Sequence, residues 1–139
     1  MKISMIDGSN YFKGLLVLIA RDREVTEPEI ELMKRLGKSL GFEKKFCQNA
    51  INEILDNTYV DTTPPEFSNK ELAMMFIKDG LTISFSDHLI HPFEEAWLNE
   101  AAVKNGIDSY WVGEQMALAV TRRGLDAPLE ADSLTLEYI

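Results

Sequence analysis

The chain aligns with itself when its sequence is shifted by 65 residues. At this offset the segment 20–42 lies on 85–107 without a gap, and apolar positions and helix-ending residues coincide. The matching acidic and glycine positions are Asp22 with Asp87, Glu29 with Glu94, and Gly41 with Gly106. Two copies of one helical unit restrict the fold, because the apolar face of each copy must be buried by packing.

Apolar periodicity and capping residues predict three helices in the first copy. The first helix covers about 10–22 and is rich in large apolar residues. Thr26 and Glu29 form a capping box around a proline, which starts a second helix, and Gly41 ends that helix. A third helix is predicted over about 43–56.

The same signals predict three helices in the second copy. A capping box that begins at Ser68 starts a long first helix over about 69–87. His91, which is followed by a proline, starts the second helix, and Gly106 ends it. The last helix of this copy is predicted over about 109–123.

These helices predict an all-α fold, a compact helical bundle of two pseudo-repeated three-helix units with about six or seven helices. We expect a single domain over 1–139, with repeat units of about 11–56 and 69–123. The tail, 124–139, alternates apolar and acidic residues and is predicted to form either a short extra helix or an extended strap. A chain of 139 residues buries enough surface to fold without a disulfide or a metal.

Charge and cysteine content exclude several classes of function. A net charge of −9 argues against nucleic acid as a partner and leaves a solvated surface, a cation site or a basic partner open. The single cysteine, Cys47, excludes an internal disulfide and a cysteine-based zinc cluster. The longest apolar stretch, 15–20, is too short to cross a bilayer, so we expect no membrane insertion and a cytoplasmic location.

The duplicated carboxylates are the candidate site. Asp22 and Asp87 each close a helix, where an anion faces the negative end of the helix dipole. Glu29 and Glu94 lie in the first turn of the next helix, so a short loop would bring each aspartate towards its glutamate. Converging carboxylates need a proton, a basic side chain or a cation between them, and they suit a hard divalent cation.

A purely structural interpretation of these residues stays open. Glu29 and Glu94 can each complete a capping box without any metal. Asp22 can simply end its helix or pair with a neighbouring arginine.

The second copy adds two histidines to its acidic pair. His88 and His91 lie between Asp87 and Glu94, and these residue types are accepted by zinc and other transition metals. We count His91 as a fifth candidate ligand. The alternative is that His91 caps its helix and that His88 is an exposed loop residue.

The stretches from Asp22 to Glu29 and from Asp87 to Glu94 resemble the TerB-like, tellurite-resistance family. Its members have a helix ending in Ala-Asp, a short loop, and a helix opening with acidic residues, and the likeness extends over roughly 11–123. The resemblance implies an all-helical bundle of pseudo-twofold units whose acidic clusters bind divalent metal. It also implies a role in tellurite, phage and general stress responses, often alongside membrane proteins, while related domains occur attached to co-chaperones.

The leading hypothesis is a non-enzymatic, metal-binding stress-response module with another protein as its partner. Its metal-ligand candidates are Asp22, Glu29, Asp87, Glu94 and His91. The identity of the ion and the oligomeric state are left open.

Two other classes of function are weighed beside it. The first is a protein-interaction adaptor whose acidic surface meets a basic partner and whose tail docks through Leu129, Leu134, Leu136 and Tyr138. The second is a hydrolase that uses Asp87, Glu94 and a histidine around a metal-bound water. It is the least favoured, because the chain has no Gly-rich phosphate loop, nucleophile elbow or HExxH helix.

Overall fold

The structure is a computed structural model that describes residues 1–20, 25–56, 61–85, 90–121 and 127–136. Within these residues the chain forms six α-helices, one 3₁₀ turn and two very short strands, so the predicted all-α class is confirmed. The helices are α1 (Met5–Ile19), α2 (Glu27–Leu40), α3 (Lys44–Asp56), α4 (Lys70–Ser84), α5 (Pro92–Lys104) and α6 (Ser109–Ala119). The strands are β1 (Lys2–Ile3) and β2 (Thr135–Leu136), and the 3₁₀ turn is Glu130–Ser133.

The six helices reproduce the internal repeat seen in the sequence. The helices α4, α5 and α6 each begin 65 residues after α1, α2 and α3 respectively. The chain divides into two compact units, unit 1 (1–63 with 131–139) and unit 2 (64–130), and each contains one three-helix copy. The prediction of two pseudo-repeated three-helix units is therefore confirmed.

The first helix of unit 1 begins earlier than the sequence pattern indicates. Ser4 is its N-cap, and the Ser4 Oγ accepts a hydrogen bond from the N–H of Asp7 (3.1 Å). The predicted start near residue 10 is therefore wrong, because residues 7–10 include no large apolar side chain, so the apolar periodicity begins only at Tyr11. The predicted end at Asp22 lies outside the described residues.

Three phenylalanines of unit 1 contact one another. The rings of Phe42 and Phe46 are stacked with centroids 4.4 Å apart, and Phe12 of α1 packs against both of them. The predicted limits of α2 are confirmed: Thr26 is its N-cap, and Gly41 ends it in the left-handed conformation with φ 94°. Glycine adopts the left-handed conformation at the end of a helix at little energetic cost, because it has no Cβ.

The C-terminal tail completes unit 1. The strands β1 and β2 pair in parallel, with Lys2 opposite Thr135 and Ile3 opposite Leu136. The strand β2 can approach α1 closely because residue 8 of α1 is glycine. A Cβ at this position would overlap Cδ2 of Leu136. The tail thus forms both a 3₁₀ turn and an extended strand, and the two strands are structure that the helical pattern did not predict.

In unit 2, α4 packs against both α5 and α6. Its N-cap is Asn69, whose Oδ1 accepts a hydrogen bond from the N–H of Leu72 (2.8 Å), so the predicted cap at Ser68 is wrong by one residue. Phe76 of α4 lies between Phe67 and Trp97, with ring centroids 5.1 and 6.0 Å away. The described helix ends at Ser84, three residues before the predicted end, and residues 86–89 are outside the described residues.

The side chain of Asn105, at the end of α5, is hydrogen-bonded to the segment that precedes α4. Asn105 accepts a hydrogen bond from the N–H of Phe67 (2.8 Å), and its Nδ2 donates to the carbonyl oxygens of Pro65 (2.9 Å) and Ala101 (2.8 Å). One amide side chain therefore satisfies backbone groups from two parts of the chain. The helix α6 ends at Ala119, before the predicted limit at 123, and residues 122–126 are outside the described residues.

Replacing Gly37 with alanine is expected to destabilise unit 1. A Cβ at this position of α2 would overlap Sγ of Cys47 on α3 and come within 3.3 Å of the Phe12 ring. Overpacking of this kind costs about 1–3 kcal/mol in the free energy of unfolding, measured by urea denaturation. Because Cys47→Ala removes the opposing sulfur, Gly37→Ala should cost less in a Cys47→Ala background.

The matched control is Gly113→Ala in α6. Among the described residues nothing lies within 4 Å of a Cβ built at Gly113. This substitution should therefore stabilise the protein by up to about 1 kcal/mol, the helix-propensity difference between the two residues. Equal effects of the two glycine substitutions would contradict the close contact between α2 and α3.

Candidate functional site

The five predicted metal ligands are only partly within the described residues. Glu29, Glu94 and His91 are described, whereas Asp22 and Asp87 lie outside the described residues, as does the neighbouring His88. Within the described ranges, no group of three or more His, Cys, Asp or Glu side chains is arranged to hold a metal ion.

Glu29 forms the predicted capping box of α2. Its Oε1 accepts hydrogen bonds from the N–H and the hydroxyl of Thr26, both at 2.9 Å. The N–H of Glu29 in turn donates to Oγ1 of Thr26 (3.3 Å). This reciprocal arrangement satisfies backbone donors that the first turn of a helix cannot pair internally. The box lies at an exposed helix start, so its carboxylate is reached by solvent ions.

Glu94 occupies the equivalent position in unit 2 but is more buried than Glu29. Only 8% of this residue is exposed, and its Oε1 accepts a hydrogen bond from the N–H of His91 (3.0 Å). The two glutamates therefore share one structural role at the start of α2 and α5. The described geometry agrees with the capping interpretation for both glutamates.

His91 is the N-cap residue of α5. Its Nδ1 accepts a hydrogen bond from the N–H of Phe93 at 3.0 Å. A ring nitrogen that accepts a hydrogen bond is unprotonated, so in the neutral ring the proton lies on Nε2. A metal ion could bind Nε2 only after the proton moves to Nδ1, which would end the cap hydrogen bond. Capping and metal binding are thus competing states of His91.

The tail leucines that were predicted to dock onto a partner are buried. The exposed fractions of Leu129, Leu134 and Leu136 are 6%, 2% and 6%. Their side chains belong to the core of their own chain, so these three residues do not form an exposed docking strand. Tyr138 lies outside the described residues.

A cavity that the sequence patterns did not indicate is formed by α2, α3 and their connection in unit 1. Its volume is about 800 Å³. We call it the basic cleft, and its basic lining residues are Lys34, Arg35, Lys38, Lys44 and Lys45. The signal in the sequence is a local density of charge, since these are five of the chain's 14 basic residues within 34–45. The basic residues include two adjacent pairs, at 34–35 and 44–45, but no longer run.

Phe42 and Cys47 add an aromatic ring and a thiol to the lining of the basic cleft. Cys47 is buried, and desolvation by burial raises the pKa of its thiol more than a backbone hydrogen bond lowers it. The thiol is therefore protonated and uncharged near neutral pH, which makes it a poor nucleophile. It acts as a small apolar surface.

Comparison of the chain with protein-family models, with curated proteins and with solved structures finds no match. The resemblance to the TerB-like family rests on the duplicated acidic pattern alone. Within the described residues, the helices are too short or too polar to cross a lipid bilayer.

The capping role of His91 predicts a specific pattern of stability. His91→Ala removes the acceptor for the N–H of Phe93 and is expected to lower the free energy of unfolding by about 1 kcal/mol. His91→Asn and His91→Asp supply good N-cap acceptors and should keep or increase the stability. Urea denaturation of the three variants measures this difference. If asparagine is as harmful as alanine, the imidazole has a role other than capping.

Proposed function

We propose that this protein is a non-enzymatic, TerB-like stress-response domain that binds a divalent cation through its duplicated acidic pairs. The proposed ligands are the carboxylates of Asp22, Glu29, Asp87 and Glu94. The proposal includes a cytoplasmic location and a partner protein, which the family resemblance implies is associated with tellurite resistance or a related stress response.

The internal duplication is the observation that supports this proposal best. Glu29 and Glu94 occupy the third position of equivalent helices, α2 and α5, and each carboxylate faces back towards the residue that precedes its helix. In both copies an aspartate stands seven residues before the glutamate in the sequence. A pattern kept in two copies of a unit has a role in both.

The donor chemistry fits a hard cation in part. Each capping box uses Oε1 of its glutamate, and carboxylate oxygens in general can act as metal ligands. Oxygen ligands of this kind are preferred by calcium, magnesium and manganese. The described residues supply one such carboxylate in each unit, and the proposed aspartates would have to supply the others. His91 would join the set only by giving up its cap hydrogen bond.

Calorimetric titration with calcium, magnesium, manganese and zinc tests the metal site. We expect at least one ion to release heat with the wild-type protein and none with the Asp87→Asn, Glu94→Gln double variant in the second site. Glutamine at position 94 still completes a capping box, so this variant removes negative charge while keeping the helix start. The pair Asp22→Asn, Glu29→Gln tests the first site in the same way.

Glu95→Gln is the matched control, because Glu95 is an exposed acidic residue in the same first turn of α5. It should leave the binding heat unchanged. His91→Asn separates the two roles of the histidine, since it keeps a cap acceptor and removes the imidazole. Absence of binding for all four ions, or equal binding by the double variant and Glu95→Gln, would contradict the metal proposal.

A second candidate function is a protein-interaction adaptor or co-chaperone-like module that binds its partner without a metal. The observation that favours it is that two large apolar side chains stay exposed on α6. Tyr110 and Leu118, two turns apart on this helix, are 76% and 53% exposed. Large apolar side chains that stay exposed together are typical of protein interaction sites. The acidic surface expected from the net charge would add selectivity for a basic partner.

Affinity purification with substituted baits tests the adaptor function. Tyr110→Ser with Leu118→Ser should abolish recovery of a specific partner, because these changes remove exposed apolar area without altering the core. Ile6→Ser is the matched control, since Ile6 is 74% exposed on α1 of unit 1. Deleting the tail would not serve this purpose, because β2 belongs to unit 1. Partners recovered equally by all baits would argue against a docking face on α6.

A further inference from the structure

We propose that the basic cleft of unit 1 binds a small organic anion that carries a phosphate or carboxylate group on an apolar body. This site is separate from the proposed cation ligands and does not depend on them. Three properties of the cleft support it: its charge, its mixed lining, and the absence of its basic residues from the second copy of the repeat.

The charge of the basic cleft is opposite to that of the whole chain. Five basic side chains and one acidic side chain, Glu31, line it, whereas the chain has a net charge of −9. Glu31 pairs with Lys34 at 3.7 Å, but both side chains are well exposed, and such pairs contribute little. A cavity of locally positive potential concentrates anions even in a protein that is acidic overall.

The size and the uncharged lining of the cleft indicate the kind of anion. A volume of about 800 Å³ lies in the range typical of sites for small organic ligands. The ring of Phe42, the thiol of Cys47 and the methylene stems of the lysines offer apolar surface beside the charged groups. An inorganic ion alone would leave that surface in contact with water, so we infer a ligand with an apolar body.

Comparison of the two copies shows that the fold does not require this charge. The positions 65 residues after the five basic ones are not basic, and their residues are Asn99, Glu100, Val103, Ser109 and Tyr110. Unit 2 nevertheless builds the equivalent pair of helices, α5 and α6. The basic residues are therefore an addition specific to unit 1 rather than a structural need of the repeat.

Two of the lysines are also unfavourably placed for the stability of their own helix. Lys44 and Lys45 lie in the first turn of α3, where the helix dipole repels positive charge. Placing two cations there lowers stability by some tenths of a kcal/mol each, unless an anion is bound. Local rules of this kind are broken most often where a residue serves binding.

Titration of the full-length protein with octyl phosphate, followed by calorimetry and by amide chemical shifts, tests the proposal. We expect octyl phosphate to bind in the basic cleft and to shift amides of α2 and α3. Inorganic phosphate, which lacks the apolar body, and octanol, which lacks the charge, should each bind at least about tenfold more weakly. Octanoate shows whether a carboxylate replaces the phosphate.

The double variant Lys44→Glu, Lys45→Glu should weaken octyl phosphate binding by about tenfold or more and remain folded, because acidic residues are favoured in a first turn. Lys70→Glu is the control: Lys70 is an exposed first residue of α4, and the change makes one such Lys→Glu substitution, half of the charge change, at a helix start of unit 2. It should bind as tightly as the wild type.

Three results would overturn the proposal: equal affinity of the double variant and Lys70→Glu for octyl phosphate, octanol binding as tightly as octyl phosphate, or no binding of either anionic probe. An oligoglutamate peptide that binds more tightly than octyl phosphate, with the same dependence on Lys44 and Lys45, would instead assign the cleft to an acidic protein segment.

Discussion

Burial of the first helix in each unit is the constraint on which the other elements depend. Most of α1 and of α4 is inaccessible to solvent, including Phe12 and Leu15 in α1 and Leu72 and Phe76 in α4. A helix that is buried on most sides cannot be stable alone, because its apolar surface must be covered by other elements. In unit 2, α5 and α6 both pack against α4, and in unit 1, α2 and α3 both pack against α1. Capping by Thr26 and His91 then fixes where the second helix of each copy begins.

Local signals predicted the parts of the fold that are decided locally. The residue types at Thr26, Gly41 and His91 carry their own hydrogen-bonding or backbone preference, so the helix limits they mark are correct. The start of α1 was missed because residues 7–10 carry no large apolar side chain, which interrupts the apolar periodicity. The strands β1 and β2 were missed because two-residue strands leave no periodicity, and their pairing joins residues from opposite ends of the sequence.

The candidate sites also differ in whether a local sequence signal predicts them. Glu29 and Glu94 were recognisable because a capping box has a fixed spacing, and the described geometry of both agrees with it. The basic cleft was not recognisable, because it combines residues of two helices whose packing through Gly37 is a property of the fold. Aligning the two copies of the repeat shows that the basic residues of the cleft occur in unit 1 only, because the matching positions of unit 2 carry no basic residues.

The parallel pairing of β1 with β2 has a consequence for biosynthesis. Unit 2 is continuous in sequence, whereas unit 1 requires residues 131–139. On a ribosome, α4, α5 and α6 can therefore pack together while β1 still lacks its partner strand. The segment around Gly8, whose surface Leu136 covers, stays accessible until residue 136 has been synthesised. Unit 1 thus completes its fold only after unit 2 has been synthesised, and chaperones that bind nascent chains can meet unit 1 before β2 has paired.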